Sequence, residues 1–120
     1  MVAVGEHRGE WDHRETGLRA HVSDQAGWRV VAFEGELDLG EAEMAADALE
    51  RALAAAARGV VADLTALSFL GSTGVRVLLQ ARARAAEAGV GFRLVQGHGP
   101  ARRLIGLLGL EQGLDVVDPD

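Results

Sequence analysis

Cysteine is absent from this 120-residue chain, which excludes disulfides and thiolate metal sites and fits a reducing cytoplasm. Lysine is absent too, so all 12 basic residues are arginine, against 18 acidic ones and a net charge of −6. An acidic domain without a basic stripe is a poor candidate for direct nucleic-acid binding. No run approaches the roughly 18 apolar residues that cross a bilayer. The opening "MVAVGEHRGEWDHRETG" also lacks the apolar stretch of a signal peptide. The expectation is a soluble cytoplasmic protein without direct membrane insertion. Its length suits one domain with its own core.

Familiar catalytic signatures are missing as well. His7, His13, His21 and His98 are scattered, and nothing in the sequence makes them converge on a metal. The glycine-containing "GHGP" and "GSTG" lack the Gly-Lys-Ser/Thr ending of a phosphate-binding loop. A hydrolase elbow needs Gly-x-Ser-x-Gly, whereas the chain reads Leu70-Gly71-Ser72-Thr73-Gly74. No metal, no cofactor and no catalysis are expected.

What is present is an alternation of short apolar elements and helical patterns. Residues 1–17 are charged and aperiodic, and read as a mobile tail. "LRAHVSD" from Leu18 alternates like a half-buried strand, "DQAG" (24–27) supplies turn chemistry, and "WRVVAFEG" (28–35) reads as its hairpin partner. Asp38 and Glu41 have capping-box spacing ahead of a helix whose apolar face is Met44, Ala48, Leu49, Ala52, Leu53 and Ala56, with Gly59 as its stop. "VVADL" (60–64) reads as a buried parallel strand. A helix then runs from "GSTG" to about Ala88, where Gly89 ends it; Arg82 falls within its apolar arc and is expected to snorkel. "GFRLV" (91–95) is a strand, "GPARRLIGLLG" (99–109) a short helix with Arg102 and Arg103 exposed, and "DVVD" (115–118) a short edge strand. The order implies a small α/β domain over residues 18–120. Its sheet is mixed and mostly parallel, of four to five strands, with an N-terminal antiparallel hairpin and about three packed helices.

The chemistry concentrates in "GSTG". Ser72 has a plain reading as the N-cap of the helix, worth ~1 kcal/mol. Gly74 fits that reading badly, because glycine in a first turn costs up to about 1 kcal/mol against alanine and signals close approach of another backbone or a partner. The alternative is that a hydroxyl here carries a phosphate. A helix N-terminus favours an anion by about 0.3–1 kcal/mol, so the fold tolerates the modification while a docked partner does not.

These residues resemble a known family. "FEGELD" (33–38), the alanine-rich helix, "VVADLTALSFLGSTGVRVLL" (60–79) and "PARRLIGLLGL" (100–110) are similar, in order and spacing, to STAS domains. More narrowly they resemble bacterial anti-sigma-factor antagonists. The resemblance implies binding to a serine/threonine kinase of the histidine-kinase-like ATPase type that doubles as an anti-sigma factor. It also implies release by phosphorylation of one serine, reset by a metal-dependent phosphatase, and control of transcription. The family's acceptor motif is Asp-Ser-Ser/Thr-Gly, which places Ser72 on the acceptor, Thr73 on the second hydroxyl and Gly74 on the glycine. Gly71 stands where the family usually has aspartate. Thr73 is the fallback acceptor. The partner surface is expected to include the loop Ser68–Thr73, the exposed helix face through Arg76 and the "GELD" turn, with Glu36, Asp38, Ser68, Gly71, Ser72, Thr73, Gly74 and Arg76 as its named residues and Asp38 also serving as a cap. The oligomeric expectation is a monomer or weak dimer. Two other readings stay open: a non-phosphorylated STAS subunit of an ABC-type membrane transport complex, which Gly71 favours, and a small-molecule or nucleotide sensor.

Overall fold

The computed structural model describes residues 9–13, 17–96 and 115–117, with side chains over 17–96. One six-stranded sheet runs in chain order: β1 (Gly9–His13), β2 (Leu18–Gln25), β3 (Trp28–Leu37), β4 (Gly59–Leu70), β5 (Gly91–Val95) and β6 (Asp115–Val117). β1, β2 and β3 pair antiparallel, and β3 to β6 pair parallel. A single 3-10 turn (Leu39–Glu41) leads into helix α1 (Ala42–Ala55), which crosses from β3 to β4, and α2 (Ser72–Ala88) crosses from β4 to β5. Two crossovers of one hand, stepping in one direction along the sheet, put both helices on the same face. There they pack against each other and against the strands they connect.

The mixed α/β class stands, but the sheet has six strands rather than four to five. The extra strand, β1, comes from the segment read as a tail. It pairs with the edge of β2 from Gly9↔Val22 to His13↔Leu18, and main-chain pairing needs no apolar period. The helix expected over residues 99–109, with Arg102 and Arg103, lies outside the described residues, as do His7 and His98.

The hairpin between β2 and β3 closes on Ala26 and Gly27, both at positive φ (52° and 87°). This is the combination that matches strand twist in two-residue loops. The buried layer alternates along the strands as the sequence suggests: Leu18, Ala20 and Val22 on β2, then Val31, Phe33 and Leu37 on β3. Helix α1 contributes Met44, Ala45, Ala48, Leu49 and Ala52. Phe33 and Leu18 are fully enclosed, each contributing about 1.5–3 kcal/mol by burial.

Three local expectations change. Helix α1 ends at Ala55 with Ala56 as its cap, so Gly59 is not its stop. Gly59 instead opens β4, where a Cβ would stand 2.7 Å from the Trp28 ring. Strand β4 continues six residues past Leu64, because two register shifts against β3 keep it in the sheet. Each places an extra residue on β4, so its buried positions step by three through Leu64, Leu67 and Leu70. The buried stripe of α2 is Gly74, Val75, Val77, Leu78, Ala81 and Ala85. That centre leaves Arg82 exposed, as it does Ala86, and no snorkelling is needed. Gly89, at φ 75°, ends α2 as expected.

Candidate functional site

The C-terminal ends of the parallel strands β3 and β4 lie side by side, with Glu36 opposite Phe69 and Leu37 opposite Leu70. Each strand then turns into a helix, which is where open α/β sheets gather their functional loops. Two contacts tie the corners together. The Gly71 N–H donates to the Leu37 carbonyl at 2.9 Å, and the Ser68 hydroxyl donates to the Gly35 carbonyl at 3.0 Å.

At the first corner Asp38 and Glu41 form the expected capping box, with the Asp38 N–H donating to Glu41 Oε1 at 2.9 Å. The Glu41 side chain is buried while Asp38 is half-buried. At the second corner the N-cap of α2 is Gly71 rather than Ser72, and no side chain caps the helix. Ser72 is the first helical residue and is exposed; Thr73 behind it is half-buried. The plain reading of Ser72 as a capping serine is therefore corrected. Its hydroxyl is not committed to the helix.

Both glycines of "GSTG" answer to the end of β3. A Cβ on Gly74 would stand 2.7 Å from Leu70 Cδ1, 2.8 Å from Leu37 Cγ and 3.0 Å from the Leu37 carbonyl oxygen. That is the close backbone approach the sequence suggested. A Cβ on Gly71 would overlap Asp38 Oδ1 and come within 2.7 Å of its Cγ. The Asp38 carboxylate thus occupies the space a side chain at position 71 would need. With both glycines buried under β3, the two hydroxyl residues between them lie at the rim, Ser72 outermost.

The candidate residues fall at one end of the molecule. Glu36 and Ser68 are exposed on the strand ends, Asp38, Gly71, Ser72, Thr73 and Gly74 surround the α2 N-terminus, and Arg76 is exposed one turn further on the Ser72 side. The Ser68 hydroxyl is already engaged by the backbone. Sequence reasoning missed one neighbour, Leu39, and did not single out another, Phe69, within the expected loop. Leu39 is 76% exposed and Phe69 46% exposed, the large apolar side chains left open among the described residues. Leu39 carries a readable signal, an apolar residue inside an acidic turn. Phe69 is hidden within an apolar run and is turned outward by the register shifts of β4. No group of three or more His, Asp or Glu residues able to hold a metal occurs among the described residues, and no helix among them is long and apolar enough to cross a membrane.

The arrangement is a rim with one accessible alcohol at the positive end of a helix, two apolar side chains and flanking carboxylates. Known proteins resemble the chain in sequence and in fold. The "Anti-sigma-F factor antagonist RsfB" of Mycobacterium tuberculosis is 33% identical over 91 residues, 76% of this chain and 74% of that protein. The crystal structure of an anti-sigma factor antagonist from Mycobacterium paratuberculosis superposes with a TM-score of 0.70 at 32% identity, covering 82% of this chain and 84% of that one. The phosphorylated form of the Bacillus cell-fate determinant SpoIIAA shares the fold, with a TM-score of 0.65 at 19% identity over 84% of this chain and 91% of that one. The STAS domain family model matches residues 19–118. The chain belongs to the STAS domain family, and the relatives it resembles in sequence are anti-sigma factor antagonists.

Proposed function

We propose that this chain is an anti-sigma factor antagonist that holds a kinase-type anti-sigma factor through the rim around Ser72 and lets go when Ser72 is phosphorylated. The observation that carries the reading is the state of Ser72: exposed, first in α2, and relieved of the capping role by Gly71. In the transfer, Ser72 Oγ forms a bond to the γ-phosphorus of ATP as the bond to ADP breaks, and the hydroxyl proton passes to a base on the kinase. The domain accepts the phosphoryl group and is not itself an enzyme; a phosphatase removes the group.

Electrostatics explains why one phosphate suffices. Phosphoserine brings roughly −1.5 to −2 charges. At a helix N-terminus that costs the fold nothing and favours it by about 0.3–1 kcal/mol. In a docked complex the same charge lies beside Leu39 and Phe69, where a partner's apolar surface strips its water. Desolvating an unpaired ion costs several kcal/mol, and every 1.4 kcal/mol is about tenfold in affinity. The consequence is release of the anti-sigma factor, which then sequesters its sigma factor and lowers transcription.

The test uses the histidine-kinase-like anti-sigma factor of the same genome with Mg-ATP. Mass spectrometry should find an addition of about 80 Da, one phosphoryl group, on the peptide containing Ser72. Ser72→Ala should bind constitutively and Ser72→Glu weakly. Phosphate at Thr73 alone would move the acceptor by one residue. Equal binding by all variants would defeat the switch.

A further inference from the structure

The end of the sheet opposite Ser72, where β4 and β5 begin, carries a cluster that the switch does not use. Trp28 and Arg93 are out of phase with the buried Val31, Phe33, Phe92 and Leu94 of their strands, so both lie on the sheet face away from the helices. The Trp28 ring lies across the first residues of β4 and β5. Its Cζ3 stands 2.7 Å from the place of a Cβ on Gly59, and its Cη2 2.6 Å from that on Gly91. The guanidinium carbon of Arg93 is 4.3 Å from the ring centroid and that of Arg58 is 5.8 Å from it, both within cation–π range. Arg58 is fixed through its main chain: its N–H donates to the Gly27 carbonyl and its carbonyl accepts from the Gly91 N–H, each at 2.9 Å.

The charges around the ring are unequal. Asp24, the acidic residue of β2, accepts from Arg29 Nε at 2.6 Å and from Arg29 Nη2 at 3.1 Å, so that carboxylate and that guanidinium are committed to each other. Asp115 of β6 stands opposite Arg93 in register. Arg58 is exposed and forms no ion pair among the described residues. We infer that Trp28, Arg58 and Arg93 form a second docking surface, for an acidic segment of a protein partner. Arg58 offers a planar fork that matches a carboxylate, and Trp28 offers a half-buried ring beside it. Tryptophan and arginine are the residue types that dominate interface energies, and a clamped main chain lowers the cost of ordering them. A nucleic-acid strand suits the surface less well, since the chain has a net charge of −6 and such strands are held by rows of cations.

Strand β4 separates this cluster from Ser72. Its 12 residues, at about 3.3 Å each, span several times the Debye length of roughly 8–10 Å. A phosphate on Ser72 therefore leaves the Trp28 end unaffected, and the role of the cluster does not depend on Ser72 being the acceptor. A partner held here stays bound while the other end of the molecule releases its own.

The probe is hexaglutamate blocked at both ends, with hexaglutamine as control. Titration into Trp11→Phe protein leaves Trp28 as the one fluorescent reporter of the chain's two tryptophans. Calorimetry on the unsubstituted protein should return the same affinity, so the result does not hang on that variant. Hexaglutamate should give a saturable change that added salt weakens, and hexaglutamine none. Arg58→Gln should weaken binding roughly fivefold, the scale of a well-formed exposed ion pair. Arg82→Gln, which removes the same charge from an exposed position on α2, and Ser72→Glu should leave the affinity unchanged. Absence of saturable binding would overturn the assignment. Equal weakening by Arg58→Gln and Arg82→Gln would do the same, by showing diffuse attraction in place of a site. Tighter binding of oligothymidylate than of hexaglutamate would replace the protein partner by a nucleic acid, and weaker binding by Ser72→Glu would overturn the independence of the two ends.

Discussion

Replacing Gly74 by alanine tests the packing that exposes Ser72. In an unobstructed helix the change favours folding by up to about 1 kcal/mol. Here the added methyl meets Leu70 Cδ1 at 2.7 Å, Leu37 Cγ at 2.8 Å and the Leu37 carbonyl oxygen at 3.0 Å. The two leucine side chains are buried and have little room to turn. The carbonyl is main chain and accepts the Gly71 N–H, so moving it disturbs the bond that joins the corners. Overpacking of this kind costs about 1–3 kcal/mol. The net effect should be a loss of about 1–2 kcal/mol, or roughly 4–8 °C for a domain of this size. Urea and thermal unfolding measure it directly. Gly40→Ala serves as the control, because nothing lies within 4 Å of a Cβ there, and its stability should stay within about 0.5 kcal/mol of the parent. A Gly74→Ala protein as stable as the parent would refute the account of why "GSTG" carries its second glycine.

Other substitutions probe neighbouring claims. Ser72→Ala should leave unfolding free energy within about 0.5 kcal/mol, since Gly71 caps α2; a loss near 1 kcal/mol, the worth of a serine cap, would restore the capping reading. Leu39→Ala and Phe69→Ala should unfold like the parent, yet each should weaken anti-sigma factor binding by about 1 kcal/mol or more, as apolar anchors at interface centres do. Titration calorimetry distinguishes that from no effect. Arg84→Ala removes an ion pair to Glu50 whose two side chains are 61% and 58% exposed. The expected loss is below about 1 kcal/mol, and a larger one in urea unfolding would show that the pair matters to the α1–α2 packing.

The elements with strong local signals were legible in the sequence. Strand β2 alternates cleanly, the Asp38–Glu41 box announces α1, and "GSTG" with Gly89 brackets α2. What could not be read followed from pairing between elements distant in the chain. The six residues of β4 beyond Leu64 keep a three-residue apolar spacing that matches neither a helix nor a flat strand. Only the shifts against β3 explain it. Strand β1 lacks an apolar signal because its partner is a sheet edge. At the candidate site, the residue types and their order singled out one loop, and the structure brings its residues to the corner beside the end of β3. The capping role moved from Ser72 to Gly71, however, and the Asp38–Gly71 contact joins positions 33 residues apart, which no local pattern encodes. The outward turn of Phe69 escaped for the same reason as β4.

The most direct measurement compares the affinity of the anti-sigma factor for unmodified protein and for protein carrying phosphoserine at position 72, installed during synthesis so that kinase action is not involved. The account predicts unchanged folding and at least about tenfold weaker binding, the consequence of 1.4 kcal/mol or more of repulsion and lost solvation. Equal affinity of the two forms, with the fold intact in both, would contradict it.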